Sequence, residues 1–114
     1  MSTPEGITQN KICQWLRSKH ILFFRVNNMP VFDPRIGGYR GMGEFAMKGI
    51  PDIIAIPPDG IFTGIEVKAP RGVQSPDQKL FERRCLQNNG RYILAKSLED
   101  VVHSFESLQD FKRE

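Results

Sequence analysis

The tetrapeptide Pro57-Pro58-Asp59-Gly60 constrains this chain more than any other stretch. Pro at the second turn position, Asp at the third and Gly at the fourth describe a type I turn, with Gly60 left-handed as a bulge. Apolar segments flank it, Asp52 to Ile56 before and Ile61 to Val67 after. They read as one antiparallel hairpin. A turn of this kind pairs Pro57 with Ile61, and that pairing fixes the register along both strands. Asp52 then lies opposite Glu66. Glu66 and Lys68 are two residues apart, so they share a strand face with each other and with Asp52. Two carboxylates and one ammonium converge on one patch of an otherwise apolar hairpin.

The rest of the chain supplies helices around that hairpin. From about Thr8 to Lys19, Ile12, Trp15, Leu16 and Lys19 recur at helical spacing. Thr3 or Thr8 is the candidate cap, and Glu5 near the start suits the helix dipole. Ile21 to Val26 is an apolar and aromatic strand ended by Asn27-Asn28. Met29 to Lys48 has no clear period and carries Pro30, Pro34, Gly37, Gly38, Gly41 and Gly43. Its apolar residues argue against simple disorder, so it reads as a flap or a partner-contacting arm. Ser75 is an N-cap, with Pro76 at the first helical position and Asp77 in the first turn. That helix runs to about Asn88, where Asn89-Gly90 stops it. Tyr92 to Ala95 is a strand, and Ser97 caps a last helix containing Val101, Val102, Phe105 and Leu108. The order α-β-(loop)-β-β-α-β-α gives an α/β fold, a small mixed sheet flanked by helices.

A chain of 114 residues suits one domain, residues 1–114, with a core large enough to need no stapling. The aromatic candidates for that core are Phe23, Phe24, Phe62, Phe81 and Phe105, with Trp15 in the core or at an interface. The formal net charge of +3 permits an anionic partner without requiring one. No apolar run approaches membrane-spanning length, and the N-terminus lacks the apolar stretch of a signal peptide. The expected location is therefore cytoplasmic. Cys13 and Cys85 have no Cys-x-x-Cys partner, which argues for two reduced thiols. His20 and His103 stand apart from any ligand cluster, which argues against zinc.

The hairpin patch suits metal-assisted hydrolysis of a phosphodiester. That reaction needs an activated water and a means of absorbing charge in the transition state, and Mg²⁺ or Mn²⁺ supplies both. These hard cations want oxygen ligands. Asp52 and Glu66 offer carboxylates, and the Val67 carbonyl between Glu66 and Lys68 offers a third oxygen. Lys68 would orient or deprotonate the attacking water, or offset charge on the phosphate. Two carboxylates on one apolar hairpin are costly without a cation.

Pro51-Asp52 followed by Glu66-Val67-Lys68 resembles the PD-(D/E)xK nuclease signature. Gly49-Ile50-Pro51-Asp52, Glu66-Val67-Lys68-Ala69-Pro70, Gly72, Ser75 and Gln78 together resemble the stand-alone VRR-NUC domain of phages and bacteria. The resemblance runs from the first helix to the last strand. It implies a restriction-endonuclease-like core and a metal-dependent endonuclease acting on branched DNA, such as Holliday junctions or flaps, as a homodimer. It would work in the cytoplasm of a bacterial cell or a phage-infected host. By this resemblance Asp52 and Glu66 map to metal ligands, Lys68 to the catalytic lysine, and Gln78 to the motif glutamine on the following helix. Relatives carry an acid on the first helix that points at the metal. Glu5 fits as that acid with Gln9 as its companion four residues on; alternatively Gln9 holds the acid's place.

Arg35, Arg40, Lys48 and Arg71, with Arg25, would form a phosphate track, with Ser75 serving as a cap and a substrate contact. Lys79, Arg83 and Arg84 read as a solvated helix face. Two other functions fit the same residues: a DNA-binding module that keeps the fold without turnover, and a restriction-type nuclease cutting duplex. The second has little chain left for a base-reading domain.

Overall fold

The computed structural model describes residues 3–26, 32–39, 41 and 43–108. Helix α1 spans Pro4–Ser18, and its cap is Thr3, whose hydroxyl accepts the Gly6 N–H at 3.0 Å. Pro4 at the first helical position lacks the donor that would otherwise be orphaned there. The helix thus starts before the Thr8 boundary drawn from its apolar spacing. Strand β1, Leu22–Arg25, follows.

Inside the stretch that showed no period lie two short strands, β2 (Phe32–Asp33) and β3 (Gly38–Tyr39), paired antiparallel. Two-residue strands leave no detectable alternation, which is why the sequence hid them. Asp33 is buried and grips Arg35, accepting from its Nε and Nη2 at 3.2 Å each.

Strands β4 (Ile53–Ile56) and β5 (Thr63–Val67) form the hairpin. Their register is Ile53↔Ile65, Ile54↔Gly64 and Ala55↔Thr63, as the turn required. Gly60 has φ +78° and donates its N–H to the Pro57 carbonyl at 2.8 Å. Asp59 ties this turn down: it accepts the Ile61 N–H at 3.0 Å and also the guanidinium of Arg91. Helix α2 (Pro76–Gln87) then leads to strand β6 (Arg91–Ala95), and α3 (Leu98–Glu106) follows. The sheet order is β1-β4-β5-β6, with only the β5–β6 pair parallel. The result is a mixed α/β fold, a four-stranded sheet with three helices.

The core lies on one face of the sheet. Ile53, Ala55, Ile65, Val67 and Ala95 point there and meet Ile12 and Leu16 of α1 and Val101 and Phe105 of α3. Trp15 packs against this core, with its ring centroid 5.7 Å from that of Phe105. By strand alternation Ile54, Gly64 and Glu66 point to the opposite face. Helix α2 packs against β6, yet it has no fully buried residue. Its Phe81 instead meets the rings of Phe62 and Tyr92.

Phe24, expected in the core, is 54% exposed. Its neighbour Phe23 takes the core-facing side of β1, so alternation turns Phe24 outward. Cys13 and Cys85 are free thiols. Among the described residues no helix is long and apolar enough to cross a membrane.

Candidate active site

Asp52 stands one residue before β4 and is aimed by its own hydrogen bond. Its Oδ2 accepts the Val67 N–H at 2.8 Å, where Pro51 offers the strand pair no backbone donor. The Val67 carbonyl projects to the same side as its N–H, towards Asp52, because both groups of a strand residue share an edge.

Two close backbone approaches hold Asp52 in place. Gly49 has φ +76°, and a Cβ there would stand 2.4 Å from the backbone carbonyl of Asp77 and 2.7 Å from the Gln78 nitrogen. Only glycine allows the strand entry to lie against the N-terminus of α2 in this way. A Cβ on Gly64 would stand 2.6 Å from Pro51 Cγ, so the bare Gly64 backbone is the floor on which Pro51 rests.

Glu66 is 2% exposed. Its Oε2 receives the amide of Gln78 at 3.0 Å and lies 3.5 Å from the Lys68 ammonium. Its Oε1 is buried with no hydrogen-bond partner. Burial pushes the Glu66 carboxyl up to about 7, and the Asp52 charge pushes the same way against the opposing pull of Lys68. Gln78 itself is held by a capping box: Ser75 Oγ accepts the Gln78 N–H at 3.2 Å, and Gln78 Oε1 accepts the Ser75 N–H at 2.8 Å. One side chain therefore both closes α2 and holds the buried carboxylate.

Glu5 reaches the same end of the sheet. Its Oε1 accepts the Ala69 N–H at 3.2 Å, just past Lys68. Gln9 is half-buried one turn further along α1. On the other side Lys96 donates its ammonium to the Pro70 carbonyl at 3.0 Å. Between these two anchors Ala69-Pro70-Arg71-Gly72 closes a turn, with the Gly72 N–H on the Ala69 carbonyl at 2.8 Å. Arg71 is exposed on it.

The structure thus brings Asp52, Glu66, Lys68 and Gln78 together, with Glu5 alongside. Among the described residues no three side chains of His, Cys, Asp or Glu cluster closely enough to hold a cation by themselves. The oxygens on offer are Asp52, Glu66 and the Val67 carbonyl. The unpartnered Glu66 Oε1 is the atom that fits a hard cation which keeps several of its own waters. Of the expected phosphate track, Lys48 and Arg71 are exposed on segments entering the site, and the Arg35 guanidinium is engaged by Asp33. Arg40 lies outside the described residues. The capping role of Ser75 was legible from its position before Pro76. The roles of Gly49 and Lys96 were not, because a close backbone approach and a lysine on a carbonyl leave no pattern in sequence.

The chain is similar in fold to a solved structure described as a VRR_NUC domain. The TM-score is 0.69 at 20% identity, covering 92% of this chain and 97% of that one. No family model matches the sequence, and no curated protein does.

Proposed function

We propose that this protein is a Mg²⁺- or Mn²⁺-dependent endodeoxyribonuclease that hydrolyses phosphodiester bonds in branched DNA, such as four-way junctions or flaps. Glu66 Oε1 carries this reading. An ionised, buried carboxylate oxygen without a partner, beside a second carboxylate, is unfavourable unless a cation visits it. The likeness in fold to a VRR_NUC domain supports the same reading.

Asp52, Glu66 and the Val67 carbonyl would hold the cation, with Gln78 and the Val67 N–H keeping the two carboxylates from turning away. When bound, the cation supplies an activated water and absorbs charge on the phosphate. Lys68 has its ammonium 3.5 Å from Glu66 and is 16% exposed, so it can face a phosphate while balancing one of the two carboxylates. Its part is to orient the attacking water and offset charge as the phosphate becomes more negative. Glu5, bonded to the Ala69 N–H, fixes the strand end that carries Lys68.

One active centre serves one scissile phosphate, so two coordinated cuts in a junction call for two centres. That is the reason to propose a homodimer with two-fold symmetry.

The test uses labelled duplex, flap and four-way junction DNA with Mg²⁺, Mn²⁺ or EDTA. Branch-selective cutting that disappears with EDTA and with Lys68→Ala supports the proposal. Tight binding without cutting in either metal makes this a DNA-binding module instead. Cutting of plain duplex at a fixed sequence makes it a restriction-type enzyme.

A further inference from the structure

Among the described residues, the two most exposed large hydrophobic side chains are Phe45, at 91%, and Val73, at 78%. Both stand on segments that run into the N-terminus of α2. Phe45 precedes Gly49 by four residues, and Gly49 lies against Asp77 and Gln78, so Phe45 is within roughly 14 Å of that point by chain length. Val73 precedes Pro76 by three residues and lies within roughly 10 Å of it. Gln78, at the centre of this end of the helix, holds Glu66.

Neither side chain is exposed by simple fraying. The Ala46 N–H bonds the Gly43 carbonyl at 3.1 Å, closing a turn that carries Phe45 at its third position. Val73 follows the Ala69–Gly72 turn, which Glu5 and Lys96 hold from two sides. Each segment also bears an exposed cation, Lys48 on one and Arg71 on the other. Glu44 and Lys48 cancel in the formal charge of this segment, so attraction at Phe45 must come from apolar area more than from charge.

An apolar surface beside a phosphodiester site is complementary to the face of a nucleobase. In closed duplex those faces are stacked on each other and out of reach. At a branch, a flap or a single-stranded end they are free. We propose that Phe45 and Val73 form an apolar rim that receives unstacked bases, and that this rim sets the preference for DNA with unpaired nucleotides. This rests on the nuclease reading above and adds to it the residues that choose the substrate. Arg71 would hold the neighbouring phosphate.

Two readouts test it. In the first, Phe45→Trp is titrated with single-stranded oligothymidylate, a flap substrate and a closed duplex, and the change in emission relative to wild type, which contains Trp15, is followed alongside anisotropy of labelled DNA. Quenching with the flap and the single strand but not with the duplex supports the rim. Binding by anisotropy without quenching overturns it while leaving the nuclease reading intact. Absence of any binding overturns both. In the second, Phe45→Ala and Val73→Ser are compared with wild type on flap and duplex substrates. The expected result is a loss of roughly five- to hundred-fold in the flap-to-duplex ratio for Phe45→Ala, with a smaller loss for Val73→Ser. An unchanged ratio in both variants overturns the proposal. Their exposure makes misfolding no explanation for a change, and an unaltered thermal midpoint verifies that.

Discussion

Gln78 and Glu66 are joined by a 3.0 Å hydrogen bond whose donor residue also closes its own helix. Two substitutions separate these duties. Gln78→Ala removes both, and should lower stability by about 1 kcal/mol through the lost cap and cut cleavage at least ten-fold. Gln78→Glu keeps an acceptor for the Ser75 N–H but sets a second carboxylate against Glu66. It should retain most of the thermal midpoint and still lose activity. Thermal melts beside single-turnover cleavage decide the matter; equal stability losses in the two variants would sink this division of roles.

Glu66 makes metal-free stability fall as pH rises. Its carboxyl is raised from the usual range to about 7, so the folded state holds a proton that the unfolded state releases above about 4.5. The contribution is present in full below about 4.5 and is lost as pH climbs through 7. Chemical denaturation in EDTA should therefore find the wild type weaker at pH 8 than at pH 5, with a flatter profile in Glu66→Gln. A cation binds the ionised form, so stabilisation of the wild type by Mn²⁺ should grow over the same interval.

Asp59 gives the opposite slope. The Arg91 guanidinium beside it holds its carboxyl below the usual range. A lowered pKa adds stability above the unfolded value, and that stability disappears as pH falls towards the folded one. Asp59→Asn should leave cleavage intact and flatten the loss of stability below pH 4 in an acid titration followed by circular dichroism.

Gly49 and Gly60 share a left-handed backbone but not its surroundings. Nothing lies within 4 Å of a Cβ at Gly60, whereas one at Gly49 would collide with the backbone of Asp77 and Gln78. Gly60→Ala should cost about 1 kcal/mol from backbone strain alone. Gly49→Ala should cost roughly 2–4 kcal/mol and shift Asp52 relative to Gln78, lowering activity beyond what stability explains. Urea midpoints for the two variants provide the comparison.

Much of this site was readable before any coordinates. Pro57-Pro58-Asp59-Gly60 permits one register, and register alone put Asp52 across from Glu66 with Lys68 beside them. Ser75-Pro76 marked where α2 begins, because capping is a local matter of one hydroxyl and one missing donor. What escaped depended on partners distant in sequence or on bare backbone. Phe23 and Phe24 are chemically alike, so nothing in β1 told which face the core would take. The bond from the Ala69 N–H to Glu5 carries no signature, because every residue but proline has such a group. The β2–β3 pairing was invisible for want of length.

Gly49, Asp52, Glu66, Lys68 and Gln78 all lie within thirty consecutive residues, and the contacts among them link a tight hairpin to the helix that follows it. The candidate site can therefore assemble early, from loops that close over short spans and at small entropic cost. The opposite face of the sheet already has α1 from the N-terminal end, but it must wait for β6 and α3 to arrive from the C-terminal end. A nascent chain that has emerged as far as Gln87 already carries every one of these five residues, and what it still lacks is β6 and α3, which complete the platform beneath them.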